Sequence, residues 1–219
     1  MMKLNACFSN LLAFGLILFT FSNCGNSERK LPILGERDWT KKTVDGKEVV
    51  DTVYNTIPPF SFVDQKGDTI TEKVVENKIY VTDFFFTTCP TICPVMKREM
   101  IKVYNAYKGN PEVMILSHSI DPEHDTPQVL NTYAKDLGVE GNQWLFLTGQ
   151  KEKIYEIGQN SYMSTAKEDK TADGGYIHSG AFILVDKDKH VRGMYDGTTD
   201  EGTQKLIADI ETLLSEYKK

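Results

Sequence analysis

The sequence lacks a basic footprint. Its 219 residues carry 25 Lys and Arg against 31 Asp and Glu, a net charge of −6, and the cations are scattered singly among acids. Without a cationic stripe there is no electrostatic basis for gripping nucleic acid, so that class of function is excluded. Long apolar runs are also scarce. The densest, Leu11 to Phe21, falls short of the ~20 residues of a clean membrane span. No internal repeat or second domain is visible, and a 40% hydrophobic share is ordinary for one globular core. Proline is absent after Pro127, and there are only four cysteines, too few for a disulfide framework.

What is present begins with a leader. Lys3, the apolar stretch and then Ser22-Asn23-Cys24-Gly25 follow the charged, apolar, small-residue order of an export signal, assigned to residues 1–23. Cys24 looks like the lipidation cysteine of a bacterial lipoprotein, although Phe21 and Asn23 stand where Leu and a small residue are commoner. The expectation is an exported protein held to the membrane on its periplasmic side, with an uncleaved signal anchor as the alternative. Residues 24–52 are polar apart from the knot LPILGERDW and read as a lipid-anchored tether and lead-in segment. Residues 53–219 read as the domain. Once Cys7 leaves with the leader and Cys24 is acylated, only Cys89 and Cys93 remain. A bridge between residues four apart constrains the unfolded chain little, so a purely structural disulfide is disfavoured.

Within the domain, Phe60 to Val63 and Thr69 to Thr71 flank a Gln-Lys-Gly-Asp turn and predict a hairpin. Ile79 to Phe86 is almost continuously apolar, as a central strand buried on both faces should be. Val95, Met96, Met100, Val103, Tyr104 and Tyr107 then recur at helical spacing, which makes the two methionines core residues rather than soft ligands. Val113 to Ile120 predicts a strand, and Asp125 or Thr126 caps a helix opened by Pro127. A strand over Trp144 to Leu147 and a helix over Gln150 to Asn160 follow. Ser161 to Ser179 shows little periodicity and predicts a long functional loop. Two strands, Gly180 to Val185 and Val191 to Tyr195, precede a final helix with a Thr198-x-x-Glu201 capping box. The order is α/β: a thioredoxin-like plan with an N-terminal β-hairpin extension and a long loop before the last hairpin and helix.

The chemistry sits at the end of the first central strand. If Pro90 opens the helix, Cys89 lies near its cap and Cys93 one turn on, with Cα atoms ~6 Å apart, close enough to bridge. A helix N-terminus lowers thiol pKa values, which serves redox exchange and metal binding alike. Redox thioredoxins usually have two residues between their cysteines and a proline just before the strand after the long loop. Here there are three residues, and His178 stands in that place. Two thiolates and a neutral imidazole suit a soft or borderline ion. They give charge −1 with Cu(I) and zero with Cu(II), whereas zinc would ordinarily want a fourth ligand. Asp121 and Asp125 belong to the rim of the site, either in a supporting role or as turn and cap residues. His118, His124 and His190 read as surface or strand residues.

Together, FFFTTCPTICPVM, DPEHDTP and YIHSGAFILVD resemble the SCO/SenC copper proteins that help assemble the CuA centre of cytochrome c oxidase. The resemblance spans roughly Ile57 to Leu214. It implies a thioredoxin-like fold, one copper as Cu(I) or Cu(II) on Cys89, Cys93 and His178, and oxidase subunit II as partner. A copper donor protein or a thiol reductant would also be needed. The expected function is a copper metallochaperone rather than an enzyme. The alternative is a membrane-tethered thiol-disulfide oxidoreductase whose redox-active pair, Cys89 and Cys93, acts on the cysteines of the CuA site. A peroxidase is disfavoured, because neither cysteine has Thr three residues before it.

Overall fold

A computed structural model describes residues 29–218; the expected signal peptide and Cys24 lie outside the described residues. Among them, no helix is long and apolar enough to cross a membrane.

The apolar run resolves into β5 (Ile79–Phe85), buried along its whole length. It pairs in parallel with β6 (Val113–Ser119), and β6 pairs in parallel with β7 (Trp144–Thr148). Strands buried on both faces need apolar residues at consecutive positions, which explains the missing alternation. The expected first hairpin is β3 (Ser61–Asp64) with β4 (Thr69–Thr71), antiparallel to β7, and β10 (Ala181–Val185) and β11 (Val191–Asp196) extend the other edge. The seven-stranded order is β11-β10-β5-β6-β7-β3-β4.

Four helices cover this sheet: α1 (Cys93–Tyr107), α2 (Pro127–Asp136), α3 (Lys151–Asn160) and α4 (Asp200–Glu216). Met96 and Met100 are buried on α1, as their spacing predicts. The hydroxyl of Tyr107 donates to the Ile207 carbonyl at 2.7 Å and ties α1 to α4. Thr126 caps α2 by accepting from the Val129 N–H, with Pro127 in the first helical position. Asp125 is therefore not the cap.

Four local expectations are corrected. The segment read as a tether contains a hairpin, β1 (Arg37–Val44) with β2 (Lys47–Tyr54), turning at Asp45-Gly46 with positive φ at both residues. Nearly the whole ribbon is exposed, so it carries no apolar period, and its local signals are the Asp-Gly pair and the β-branched residues that flank it. Before it, Leu31 is buried, and Arg192 donates to the carbonyls of Leu31 and Pro32. The stretch Ser161 to Ser179 is not irregular throughout. It forms a separate two-stranded ribbon, β8 (Ala166–Glu168) with β9 (Tyr176–His178). The α4 cap is Thr199, accepting from Gly202 N–H, because Asp196 takes both donors of Thr198. Finally, α1 begins at Cys93 rather than Pro90. The N–H groups of Val95 and Met96 both reach the Ile92 carbonyl at 3.0 Å, and Pro94 sits early in the helix, where no N–H partner is required.

One buried acid in β5 makes stability depend on pH. Asp83 accepts from Ser117 Oγ at 2.5 Å, and that oxygen accepts from Trp144 Nε1 at 2.9 Å. Burial lifts the Asp83 carboxyl from 3.8 to about 7. Between those values the folded chain keeps a proton that the unfolded chain has lost, so stability falls as pH rises through this window and levels off above it. At 1.36 kcal/mol per pH unit the span is about 4 kcal/mol. Urea unfolding at pH 5 and pH 8 should show the part of this loss that lies above pH 5, about 3 kcal/mol, in the wild type and not in Asp83→Asn. An equal slope in both proteins would assign it to other groups.

Candidate metal centre

Cys89 lies in the turn between β5 and α1, where its N–H reaches the Phe86 carbonyl at 3.3 Å. Cys93 is the first residue of α1, so the pair are not on successive turns of one helix as the sequence suggested. Both thiols are free and buried. His178 closes the group from the end of β9. Its Nε2 is 3.2 Å from Cys93 Sγ and 3.9 Å from Cys89 Sγ, and the three ligand atoms lie within 4.8 Å of one another.

The imidazole is prepared for ligation. Its Nδ1 is 3.2 Å from the Ser179 carbonyl, an oxygen that can only accept, so Nδ1 carries the hydrogen and Nε2 turns a lone pair to the sulfurs. Burial also depresses the His178 pKa below 6.5, which keeps the ring neutral at physiological pH. The donor set fits a soft or borderline metal: two sulfurs and one imidazole nitrogen converge without rearrangement of the chain.

The two thiols differ, contrary to the expectation that the helix start lowers both. Burial acts to raise the Cys89 thiol, but hydrogen bonds from the Cys93 side chain and backbone and from Thr91 outweigh it and leave the pKa below 9.0. Burial pushes the Cys93 thiol well up, and the neighbouring Cys89 adds to the rise. Cys89 is thus the sulfur that ionises first and the better attacking thiol.

Neither acid of the rim joins the three converging atoms. Asp125 is fully buried, and its carboxylate accepts from Thr87 N–H at 3.0 Å, from Thr87 Oγ1 and from Ser119 Oγ at 2.5 Å. It fixes the chain two residues before Cys89. Asp121 accepts from the Tyr176 hydroxyl at 2.8 Å, two residues before His178. The loop after β6 therefore holds the cysteine turn with one carboxylate and the histidine ribbon with the other. Nothing local in the sequence marks Thr87 and Tyr176 as partners of these acids, because only tertiary proximity joins them.

The other histidines are accounted for. His118 is buried among Phe60, Phe62, Phe84 and Tyr162 with Nδ1 against Thr82, and His124 is half exposed beside Asp125. His190 sits in the β10–β11 turn near Asp186 and Asp188. Asp186 already accepts from two backbone N–H groups and from Arg192, which marks that second cluster as a turn.

The model of the SCO1/SenC family matches residues 50–215. The chain belongs to the SCO1/SenC family. The SCO1 protein homolog of Bacillus subtilis is 31% identical over 169 residues, which cover 76% of this chain and 87% of that protein. The solved structure of BsSco, a member of the Sco family of cytochrome c oxidase assembly proteins in which a disulfide switch was identified, is 30% identical. It aligns with a TM-score of 0.65 over 75% of this chain and 95% of its own. Bradyrhizobium japonicum ScoI, solved with copper bound, is 25% identical with a TM-score of 0.60, covering 72% of this chain and 99% of its own. The SCO1/SenC fold of this chain is thioredoxin-like, with Cys89, Cys93 and His178 gathered at the end of the central strands.

Proposed function

We propose that this protein is a copper metallochaperone. It holds one copper on Cys89, Cys93 and His178 and delivers or prepares copper for the CuA site of cytochrome c oxidase subunit II. The observation that carries this reading is the convergence of two buried sulfurs with an imidazole nitrogen whose partner nitrogen is already engaged. The copper-bound ScoI relative supports the choice of metal, and the oxidase-assembly role of BsSco supports the choice of partner. Copper would come from a donor protein and leave by ligand exchange onto the partner's thiolates. Cys93, the sulfur with the raised pKa, is the one more readily reprotonated as the cargo departs.

An exported location would suit the same role. The leader before Cys24 reads as a signal peptide, and acylation of Cys24, or an uncleaved anchor, would hold the domain at the periplasmic face of the membrane. A second reading rests on the free thiol pair and on the disulfide switch identified in BsSco: Cys89 and Cys93 exchange a disulfide with the partner's cysteines. A transfer experiment separates the two. Cu(I)-loaded protein mixed anaerobically with the reduced apo domain of subunit II should give up its copper, leaving metal-free donor and copper-loaded partner, read by metal analysis after the two are separated. Oxidation or reduction of the partner's cysteines with no metal movement would favour disulfide exchange.

A further inference from the structure

His178 rides on a ribbon that hydrogen-bonds to no strand of the main sheet. β8 and β9 pair only with each other, so ladder bonds to the sheet do not fix the ligand. On its C-terminal side Ser179 extends the ribbon's own pairing, its N–H reaching the Thr165 carbonyl at 3.0 Å and its hydroxyl meeting Ser164 at 2.8 Å, and the Ser164 N–H ties this end to the Gly158 carbonyl of α3 at 2.9 Å. On the other side the anchor is Tyr176. Residues two apart on a strand share a face, so Tyr176 and His178 project to the same side.

Tyr176 makes two contacts there. Its ring lies against Phe86, with centroids 5.1 Å apart, and Phe86 in turn meets the His178 ring edge-on at 5.8 Å. Its hydroxyl donates to Asp121 Oδ1 at 2.8 Å. Beside it, Gly174 sits at φ +78°, and a Cβ there would come within 3.0 Å of Phe86 and of Pro90, which lies between the cysteines. The ribbon is thus seated on the cysteine turn at close contact. β8 is held to α3 by Gln159 Nε2 on the Ala166 carbonyl at 2.7 Å and by Lys151 with Glu168 at 2.6 Å, and the Tyr176–Asp121 bond secures β9, the strand that carries His178, to the loop after β6.

We propose that Tyr176 is a positioning residue for His178: its bond to Asp121 holds the ribbon at the depth where the imidazole reaches both sulfurs. The inference rests on the copper reading above. Tyr176→Phe keeps the ring on Phe86 and removes only the hydroxyl. Cu(II) affinity should fall about 10- to 100-fold, the usual consequence of losing a group that orients a ligand. The redox midpoint of the Cys89/Cys93 pair should stay at the wild-type value. In a His178→Ala background the same change should have no further effect on affinity, because the ligand being positioned is gone. Without metal, the amides of Ile177 and Ser179 should exchange with solvent faster in Tyr176→Phe than in the wild type. Asp121→Asn, which keeps an acceptor, should retain more affinity than Asp121→Ala.

Wild-type affinity in Tyr176→Phe would overturn the proposal, as would a loss that persists undiminished without His178. A wild type that binds no copper would instead remove the copper reading itself. In that case, unchanged amide exchange would reject the positioning role separately.

Discussion

Replacing His178 with Ala is expected to weaken Cu(II) binding more than about 100-fold, exceeding the loss usual for a group that merely orients a ligand. Nε2 approaches both sulfurs, and no other His among the described residues is grouped with them, so nothing nearby can take over its place. The thiolate-to-copper charge-transfer absorption should vanish with it. The thiols keep their own positions in the turn and on α1, so oxidation of Cys89 with Cys93 should remain possible in the variant. In the wild type, loading copper displaces the thiol protons of Cys89 and Cys93, so affinity should weaken as the pH falls across the whole range, and more steeply below about 6.5, where the imidazole also takes up a proton. The sign follows from burial, which depresses the His178 pKa and favours the neutral, ligating ring. Spectroscopic titration of both proteins across pH 5 to 8 checks this, and a wild-type slope at low pH no steeper than that of His178→Ala would show that His178 is not a ligand.

The second large effect is expected at Asp125. Its carboxylate is fully buried and accepts from the backbone and hydroxyl of Thr87 and from the hydroxyl of Ser119. Asp125→Ala strands these donors in the interior at about 1–3 kcal/mol for each that finds no new partner, so a total near 3–5 kcal/mol is expected. Copper affinity should fall as well, because the segment leading to Cys89 loses its tie to the loop after β6. Asp125→Asn keeps one acceptor oxygen and should lie between Ala and the wild type in both properties. Urea unfolding gives the first quantity and copper titration the second. A loss of stability below about 1 kcal/mol would mean that the cysteine turn is held by its own backbone bonds.

The contrast between His178 and Asp125 shows how far the sequence could be read. The central strand was plain from the unbroken apolar run of β5, and α2 from Thr126 and Pro127, because burial on two faces and helix capping both leave local marks. His178 was legible because it follows a glycine-rich stretch and opens onto a strand that must lie beside β5. Asp125 offered only a choice between capping and support. Its partner Thr87 is distant in sequence, and no periodicity records that pairing. The start of α1 was ambiguous for a different reason: Pro90 and Pro94 each suit a first turn, and the turn from Thr88 to Ile92 decides between them. The β1–β2 ribbon left no one-face pattern because its apolar residues, Trp39, Val44, Val49, Val50 and Val53, all lie exposed rather than lined up against a core.

The central claim is that Cys89, Cys93 and His178 form one copper site, and anaerobic titration of the fully reduced protein with copper, followed by stoichiometry and absorption, tests it most directly. The prediction is saturation at one equivalent per chain, with thiolate charge-transfer bands for Cu(II) that are absent in His178→Ala. Failure of the reduced wild type to bind near one equivalent would contradict it and leave Cys89 and Cys93 as a redox pair.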